Sequence, residues 1–215
     1  MRLSAYRFAR IIRKEFAVSF RQRAVFASML MFSLTALACI SLAIRGAVLD
    51  PELLSALLWI IIFFASTAID RTFDDEAITT LKVYGDSQSI LFGKMIYSLL
   101  SIILVSVFLL PIFIVLFDCE VKAPLILLLT IFLGVVGISS AGTLISAISI
   151  VASVRNGLFP ILLFPIVLPL FLPATELTSM AFSSSLISTT LIFAMVLYDL
   201  ILLIASPILF DYLWY

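Results

Sequence analysis

Long apolar stretches separated by short charged clusters are the main feature of the hydrophobic pattern in this chain. A bilayer core about 30 Å thick is crossed by roughly 20 apolar helical residues, with about 17 to 25 as the useful range. Six stretches approach or exceed this length, and the fourth is long enough to tilt or to include a loop. The pattern predicts six transmembrane helices, at residues 24–44, 53–69, 95–117, 125–152, 157–175 and 186–210.

A soluble helical bundle is the alternative architecture, and it requires a polar face on each helix. Ile102–Leu116 and Ile161–Leu172 have almost no polar face. Apolar and aromatic residues make up 64% of the chain and charged residues 12%, whereas soluble domains have about half and about a quarter. We therefore predict an all-α polytopic membrane protein, with residues 1–215 in a single transmembrane domain.

The composition also excludes several kinds of chemistry. The chain has no histidine, which removes Ser-His-Asp and Cys-His catalysis, His-ligated zinc and a histidine ligand to haem iron. A net charge of zero offers no basic surface for nucleic acid. We expect no catalytic, metal-binding or cofactor-binding residues in this chain. Cys39 and Cys119 both map to the outer side, either as a pair or, more simply, as two unrelated small residues.

Basic residues are distributed unequally around the six predicted spans. Eleven of the 13 Lys and Arg residues fall on one side of the membrane, and only Arg45 and Lys122 fall on the other. Cytoplasmic segments carry the excess of Lys and Arg in membrane proteins. The chain is therefore predicted to cross the cytoplasmic membrane with both termini in the cytoplasm.

The first 23 residues have an amphipathic helical pattern. At 100° per residue, one arc of about 120° holds the apolar side chains, and the opposite side holds the basic ones. The two sets are Ala5, Phe8, Ala9, Ile12, Phe16 and Phe20 against Arg7, Arg10, Lys14 and Arg21. This separation predicts a helix lying in the inner interface of the lipid bilayer. A simple topology signal is the alternative, although positive charge alone would serve that purpose.

The polar insert at residues 70–94 contains a second amphipathic helix. Acidic residues crowd its start, where they suit a helix N-terminus, and apolar residues follow at helical spacing before Gly85 ends the helix. Asp86 or Ser87 can cap the next helix, which is predicted to run through Lys94 into the third span. Such a helix can dock into a groove on a cytosolic partner. The residues of this predicted coupling helix are Arg71, Phe73, Asp74, Asp75, Glu76, Ala77, Ile78 and Leu81. A solvated linker and a cation site are the alternatives, but consecutive acids on a helix point in different directions.

Four prolines mark the fifth predicted span, at Pro160, Pro165, Pro169 and Pro173. Each proline removes a backbone hydrogen bond and clashes with the preceding turn, and neighbouring helices in a bundle can satisfy the freed carbonyls. The spacing predicts a kinked or broken helix, or a re-entrant pair, that acts as a moving or gating element.

Two further intramembrane features have both structural and functional interpretations. Gly137 and Ala141 have the small-xxx-small spacing that permits close helix packing, within one subunit or at a dimer seam. Asp199 is the charged residue inside the sixth span. An aspartate at the centre of a span costs roughly 2.5–3.5 kcal/mol on insertion scales. We expect it to be either a polar clamp or a residue used in transport.

Several motifs resemble the CcmB family, the permease-like haem exporter protein B of cytochrome c maturation. Near the N-terminus these are Arg13-Lys14-Glu15-Phe16, Arg21-Gln22-Arg23 and Met29-Leu30-Met31-Phe32. Further along the chain they are Arg71-x-Phe73, Glu76, Leu81-Lys82 and Gly93-Lys94-Met95, then Phe159-Pro160-Ile161-Leu162-x-Phe164-Pro165-x-x-x-Pro169, and finally Tyr198-Asp199 and Leu209-Phe210-Asp211-Tyr212. Length, span number and cytoplasmic termini agree with this family from end to end.

The resemblance implies a permease subunit of an ABC-type complex. Its partners would be a CcmA-like ATPase and a CcmC-like haem-handling membrane protein, and a homodimer within the complex is left open. The complex would use ATP to release a haem-loaded chaperone outside the cytoplasmic membrane. This chain has no Gly-x-x-x-x-Gly-Lys-[Ser/Thr] loop, so ATP is expected on the partner chain. On this interpretation the chain is a transport and assembly subunit and not an enzyme.

Other functions share parts of this pattern. An ABC-2-type permease that exports a lipid, drug or polysaccharide would have the same interfacial helix, coupling insert and six spans. An intramembrane enzyme would need clustered catalytic groups, whereas this chain offers one deep aspartate and no histidine. A purely structural membrane subunit is the third alternative.

Overall fold

A computed structural model describes residues 23–44, 49–69, 87–151, 159–183, 186 and 188–214. In this part of the chain six α-helices follow one another without a strand. They are α1 (Arg23–Ile44), α2 (Pro51–Ile69), α3 (Ser87–Phe117), α4 (Pro124–Val151), α5 (Phe159–Ser183) and α6 (Thr189–Trp214). Residues 1–22 and 70–86 lie outside the described residues, so the predicted interfacial helix and coupling helix stay predictions.

Four of these helices contain stretches that are long and apolar enough to cross a membrane. The stretches are Ile90–Phe117, Pro124–Ser149, Phe159–Ser183 and Thr189–Tyr212, while α1 and α2 contain the shorter apolar stretches Leu30–Ile44 and Pro51–Thr67. The chain is therefore an all-helical membrane protein, and the count of six spans stays a prediction.

Two helices extend well beyond the apolar stretches from which they were predicted. Helix α3 begins at Ser87, in agreement with the helix that was predicted to start at Asp86 or Ser87 and to run through Lys94 into the third span. Its first turns are packed, with Ile90 and Lys94 both buried. Helix α5 is a single helix that continues to Ser183, past the predicted end at 175. Glu176 does not end it, because this side chain is exposed beside an open cleft.

Helix α4 occupies the centre of the bundle. It packs against α2, α3, α5 and α6, whereas α1 packs mainly against α2 and α3. Val135, Ile138 and Ala141 in its middle are fully buried. A helix that is apolar on all sides can be enclosed by others, and α4 also has the small residues that let neighbouring backbones approach.

The helix ends form two distinct regions. At one end, which we term the acidic end, the C-termini of α1, α3 and α5 meet the N-termini of α2 and α4 around two clefts. Its acidic side chains are Asp50, Glu52, Asp118, Glu120 and Glu176. At the opposite end, the Gln88 side chain at the start of α3 donates a hydrogen bond to Asp211 near the end of α6, over 3.3 Å. These contacts indicate that the helices alternate in direction.

The connection between α3 and α4 closes two helix ends. Asp118 has a φ of 46°, and the N–H of Cys119 donates to the carbonyl of Ile114 over 3.1 Å, which is the Schellman arrangement at a helix C-terminus. The N–H groups of Lys122 and Ala123 both donate to the carbonyl of Ala181 over 3.1 Å. Since the last carbonyls of a helix lack intrahelical donors, this loop caps both α3 and α5.

Candidate functional site

The side chain of Trp59 joins α2 to α5 inside the bundle. Its indole N–H donates to the carbonyl of Ala174 over 3.2 Å and to the hydroxyl of Thr178 over 3.0 Å. The Thr178 hydroxyl in turn donates to the Ala174 carbonyl over 2.7 Å. A buried indole normally requires a partner for its N–H, and here two acceptors of the same helix provide it.

Aromatic rings extend this contact along α2 and α5. Phe63 lies edge-on to Phe171 at a centroid distance of 5.5 Å and to Phe164 at 5.9 Å. The Trp59 ring lies 6.1 Å from that of Phe171. Edge-to-face aromatic pairs contribute about 0.5–1.5 kcal/mol beyond their buried area. Helix α2 is therefore held to α5 over several turns, and we term this set of contacts the α2–α5 tie.

Gly134 of α4 provides the space that the Trp59 ring occupies. A Cβ atom at position 134 would lie 2.0 Å from Cη2 and 2.5 Å from Cζ3 of Trp59. Both distances are far below van der Waals contact, so any side chain here would displace the ring. Because the indole N–H of the same side chain donates hydrogen bonds to α5, Trp59 fixes the positions of α2, α4 and α5 relative to one another.

The prolines of α5 lie within a continuous helix. Pro165 and Pro169 are exposed on its outer surface, Pro160 is half-buried in the first turn, and Pro173 is buried. The Tyr198 hydroxyl of α6 donates to the carbonyl of Ile166, directly after Pro165. A broken helix or re-entrant pair is therefore not observed, and the role of these prolines in gating stays a prediction.

Asp199 lies on the buried face of α6, next to Tyr198. Its side chain is only 4% exposed, and neither carboxylate oxygen has a hydrogen-bond partner among the described residues. Tyr198 does not serve as its partner, because the tyrosine hydroxyl donates to Ile166 instead. A buried carboxyl group without a partner is costly, so the position of Asp199 requires an explanation.

Gly137 is the residue of α4 against which Asp199 rests. A Cβ atom at position 137 would lie 2.7 Å from Oδ1 of Asp199 and 2.5 Å from Cδ2 of Leu170 in α5. We term this space the Gly137 notch. Gly137 and Ala141 are both buried inside this chain. These two small residues thus accommodate α5 and α6 of the same subunit. Packing within one subunit is enough to explain them, without a dimer interface.

The acidic end contains two adjoining clefts. One has a volume of about 770 Å³ and lies between the start of α2 and the end of α5, and the other has about 410 Å³ and lies beside the loop after α3. Both cysteines are free thiols, with Cys39 exposed on α1 and Cys119 half-buried in the smaller cleft. Burial, and secondarily the charge of Asp118, raises the pKa of Cys119 to about 11.

The predicted coupling residues at 71–81 lie outside the described residues. The residues that flank them are described, namely the end of α2 at Ile69 and the start of α3 at Ser87. Both helices are packed within about one turn of these ends, where Thr67 and Ile90 are buried. Any displacement of the segment would thus act on two helices of the packed bundle.

Sequence reasoning identified Asp199, Gly137 and the prolines but missed the contact between Trp59 and Gly134. The available signal was a tryptophan inside one apolar stretch and one of three glycines inside another. Neither position shows which partner it faces, because the register between α2 and α4 is not local information. Lys94 was expected at the end of the cytoplasmic segment, in the helix that enters the third span, and it does lie in α3. Its burial, at 1% exposed, was not predicted.

Comparison with known protein families gives one match. The sequence matches the family profile described as CcmB protein over residues 6–208, nearly the whole chain. A search of curated proteins finds no match.

Proposed function

This chain belongs to the CcmB family, the haem-exporter component of the cytochrome c maturation ABC system, and from that premise we propose that it is the moving membrane subunit of the complex. In this proposal a CcmA-like ATPase binds residues 71–81 from the cytoplasm, and a CcmC-like membrane protein handles haem beside this subunit. ATP hydrolysis on the ATPase then rearranges the helices described above and promotes release of the haem-loaded chaperone. The family match favours this function over export of a lipid, drug or polysaccharide.

The α2–α5 tie is the observation that carries the proposal. Helix α2 leads directly into the coupling segment, and Trp59 and Phe63 bind it to α5. Helix α5 is joined to α6 by the bond from Tyr198 to Ile166. A displacement applied at the end of α2 would therefore reach α5 and then α6 through these contacts between packed helices.

The prolines make α5 a suitable helix for such movement. Pro165, Pro169 and Pro173 lack an N–H, so the carbonyls of the residues four positions earlier have no helical donor. Helices interrupted in this way rearrange at lower cost than uninterrupted ones, since fewer hydrogen bonds must break. We expect the segment between Pro165 and Pro173 to change most when ATP is hydrolysed.

Haem enters this account as the cargo of the complex. The chain has no histidine, and the histidine imidazole is a common protein ligand of haem iron. We therefore assign haem ligation to the partner proteins and movement to this subunit. The basic residue distribution supports an orientation with the acidic end outside the cytoplasmic membrane, where the chaperone is released.

The coupling residues can be tested by charge reversal. A triple variant would place three positive charges on the predicted coupling helix, with the substitutions Asp74→Lys, Asp75→Lys and Glu76→Lys. We expect the ATPase to be lost from the purified complex and c-type cytochromes to fall to the level of a strain lacking this subunit. A matched control reverses three acids at the acidic end, Asp50, Glu52 and Glu176, and should retain the ATPase.

Two results would contradict the proposal at different levels. Unchanged co-purification of the ATPase with the Asp74, Asp75 and Glu76 variant would overturn the assignment of the coupling helix. Normal c-type cytochrome content in a strain lacking this subunit would overturn the function itself.

A further inference from the structure

The ionisable side chains near Asp199 are those of α6 itself and of the helices that pack against it. Three helices pack against α6, namely α3, α4 and α5. Helix α4 has no ionisable side chain, and the one in α5 is Glu176, exposed at the acidic end. Helix α3 has Lys94 and Tyr97, and α6 itself has Tyr198, Asp211 and Tyr212 besides Asp199.

Lys94, the cationic residue of α3, lies at a different depth from Asp199, whereas Tyr97 lies within about one turn of its level. The contact between Gln88 and Asp211 sets the register of the antiparallel helices α3 and α6. With a rise of about 1.5 Å per residue, Asp199 lies about 18 Å from that contact and Lys94 about 9 Å from it. Among the described residues, the carboxyl group therefore has no cation at its own level, which agrees with its lack of a hydrogen-bond partner there.

The Gly137 notch receives the carboxyl group closely. A Cβ atom at position 137 would lie only 2.7 Å from Oδ1 of Asp199, and Leu170 of α5 borders the same space. An ionised carboxylate in an apolar enclosure without a donor is strongly disfavoured, whereas a neutral carboxyl group is tolerated far better. The packed arrangement of α4, α5 and α6 thus fits one protonation form and opposes the other.

We propose that Asp199 is a proton-binding site that controls the contact of α6 with α4 and α5. The neutral carboxyl group occupies the Gly137 notch and keeps the three helices together. Loss of the proton to water produces a carboxylate that leaves the notch, and α6 separates from α4. This property goes beyond the proposed coupling to an ATPase and does not depend on it.

Ser206 provides a reporter of this separation. It lies seven residues after Asp199 on the same buried stripe of α6, is 1% exposed and has a hydroxyl without a partner. Ser33 provides a matched reference, since it is 0% exposed with an unpartnered hydroxyl but lies on α1, which packs mainly against α2 and α3. Both serines can be replaced by cysteine with little change of shape.

The experiment compares alkylation of these two thiols in membranes containing the full chain with Cys39→Ser and Cys119→Ser. The rate with N-ethylmaleimide at Ser206→Cys is divided by the rate at Ser33→Cys, which removes the pH dependence of the reagent. We expect this ratio to rise about tenfold between about pH 6 and about pH 9, and to be constant when Asp199→Asn is added. A variant with Gly137→Ala, in which the notch is filled, should show a raised ratio at every pH.

The outcomes separate the proposal from simpler explanations. A constant ratio with native Asp199 overturns it, as does a rise that persists with Asp199→Asn. General loosening of the bundle would raise the rate at both reporters equally and leave the ratio constant, which also counts against it. Because no ATPase or haem is involved, failure here leaves the proposed function unaffected.

Discussion

The six-membered ring of Trp59 fills the space beside Gly134, where a Cβ atom would lie 2.0 Å from Cη2 of the indole. The Trp59 ring of α2 can occupy this position only because Gly134 of α4 has no side chain. The same indole donates to Ala174 and Thr178 of α5. Three helices thus share one aromatic anchor, and its energetics can be measured by substitution.

Gly134→Ala should lower the free energy of unfolding by about 1–3 kcal/mol, the usual cost of overpacking. The physical reason is the collision of the new methyl group with the indole. Trp59→Phe removes the atoms that collide, so Gly134→Ala should cost less in that background. The measurement is a double-mutant cycle of unfolding in detergent micelles. An equal cost of Gly134→Ala in both backgrounds would show that the clash is not the cause.

Thr178→Val should destabilise the protein by about 0.6 kcal/mol more than Thr175→Val, the average worth of an interhelical hydrogen bond in a membrane protein. Thr178 accepts the indole N–H of Trp59, whereas the hydroxyl of Thr175 donates only to carbonyls of its own helix. The two unfolding curves are compared with and without Trp59→Phe. The difference should vanish with Trp59→Phe, and its persistence would argue against the α2–α5 tie.

Tyr198→Phe should lower stability by about 1 kcal/mol or less, because the Ile166 carbonyl loses a donor from α6. The matched control is Tyr212→Phe, at a tyrosine of the same helix that is 85% exposed. Thermal unfolding of the purified protein in detergent is the measurement. Equal midpoints for the two variants would mean that the Tyr198 bond to α5 contributes nothing to stability.

Alkylation of Cys119 should be slow at neutral pH and should accelerate up to about pH 11. The thiolate is the reactive form, and burial raises the pKa of this thiol to about 11, with the charge of Asp118 adding to the effect. The rate with a water-soluble maleimide is followed across pH in a Cys39→Ser background. A plateau of the alkylation rate at about pH 9 would contradict the raised pKa.

Asp118→Asn tests the second cause of that shift. Removing the negative charge should lower the pKa of Cys119 and raise its alkylation rate about two- to threefold at a given pH. Glu52→Gln, at an acid of the other cleft, is the control and should leave the rate unchanged. No increase with Asp118→Asn would assign the raised pKa to burial alone.

Helix positions could be predicted closely where hydrophobicity is the deciding property. The first helix was expected at 24–44 and is observed at Arg23–Ile44. The start of α3 at Ser87 agrees with the predicted helical entry into the third span. The extension of α5 to Ser183 was not predicted, because its boundary depends on packing at the end of the bundle. Glu176 directly follows the predicted span at 157–175, but an exposed charge at a helix surface does not interrupt backbone hydrogen bonding.

Candidate residues were predictable as individuals and not as partners. Asp199 is conspicuous in the sequence, because a charge within an apolar stretch carries a known cost. Its position against Gly137 depends on the rotation of α6 and the register of α4, which are set by side chains distant in sequence. Trp59 was missed for the same reason, since a tryptophan in a membrane span has no local mark of its partner.

By itself, the sequence determined that this chain is a helical membrane protein, where its long apolar stretches lie, and which family it belongs to. These properties follow from the transfer free energy of consecutive side chains and from local motifs. Only the tertiary structure decided that Trp59 fills the space at Gly134, that Tyr198 bonds α5, and that Asp199 has no hydrogen-bond partner in the described part of the chain. Such relationships arise from contacts between helices, where small residues and the shapes of opposing side chains select one register among many.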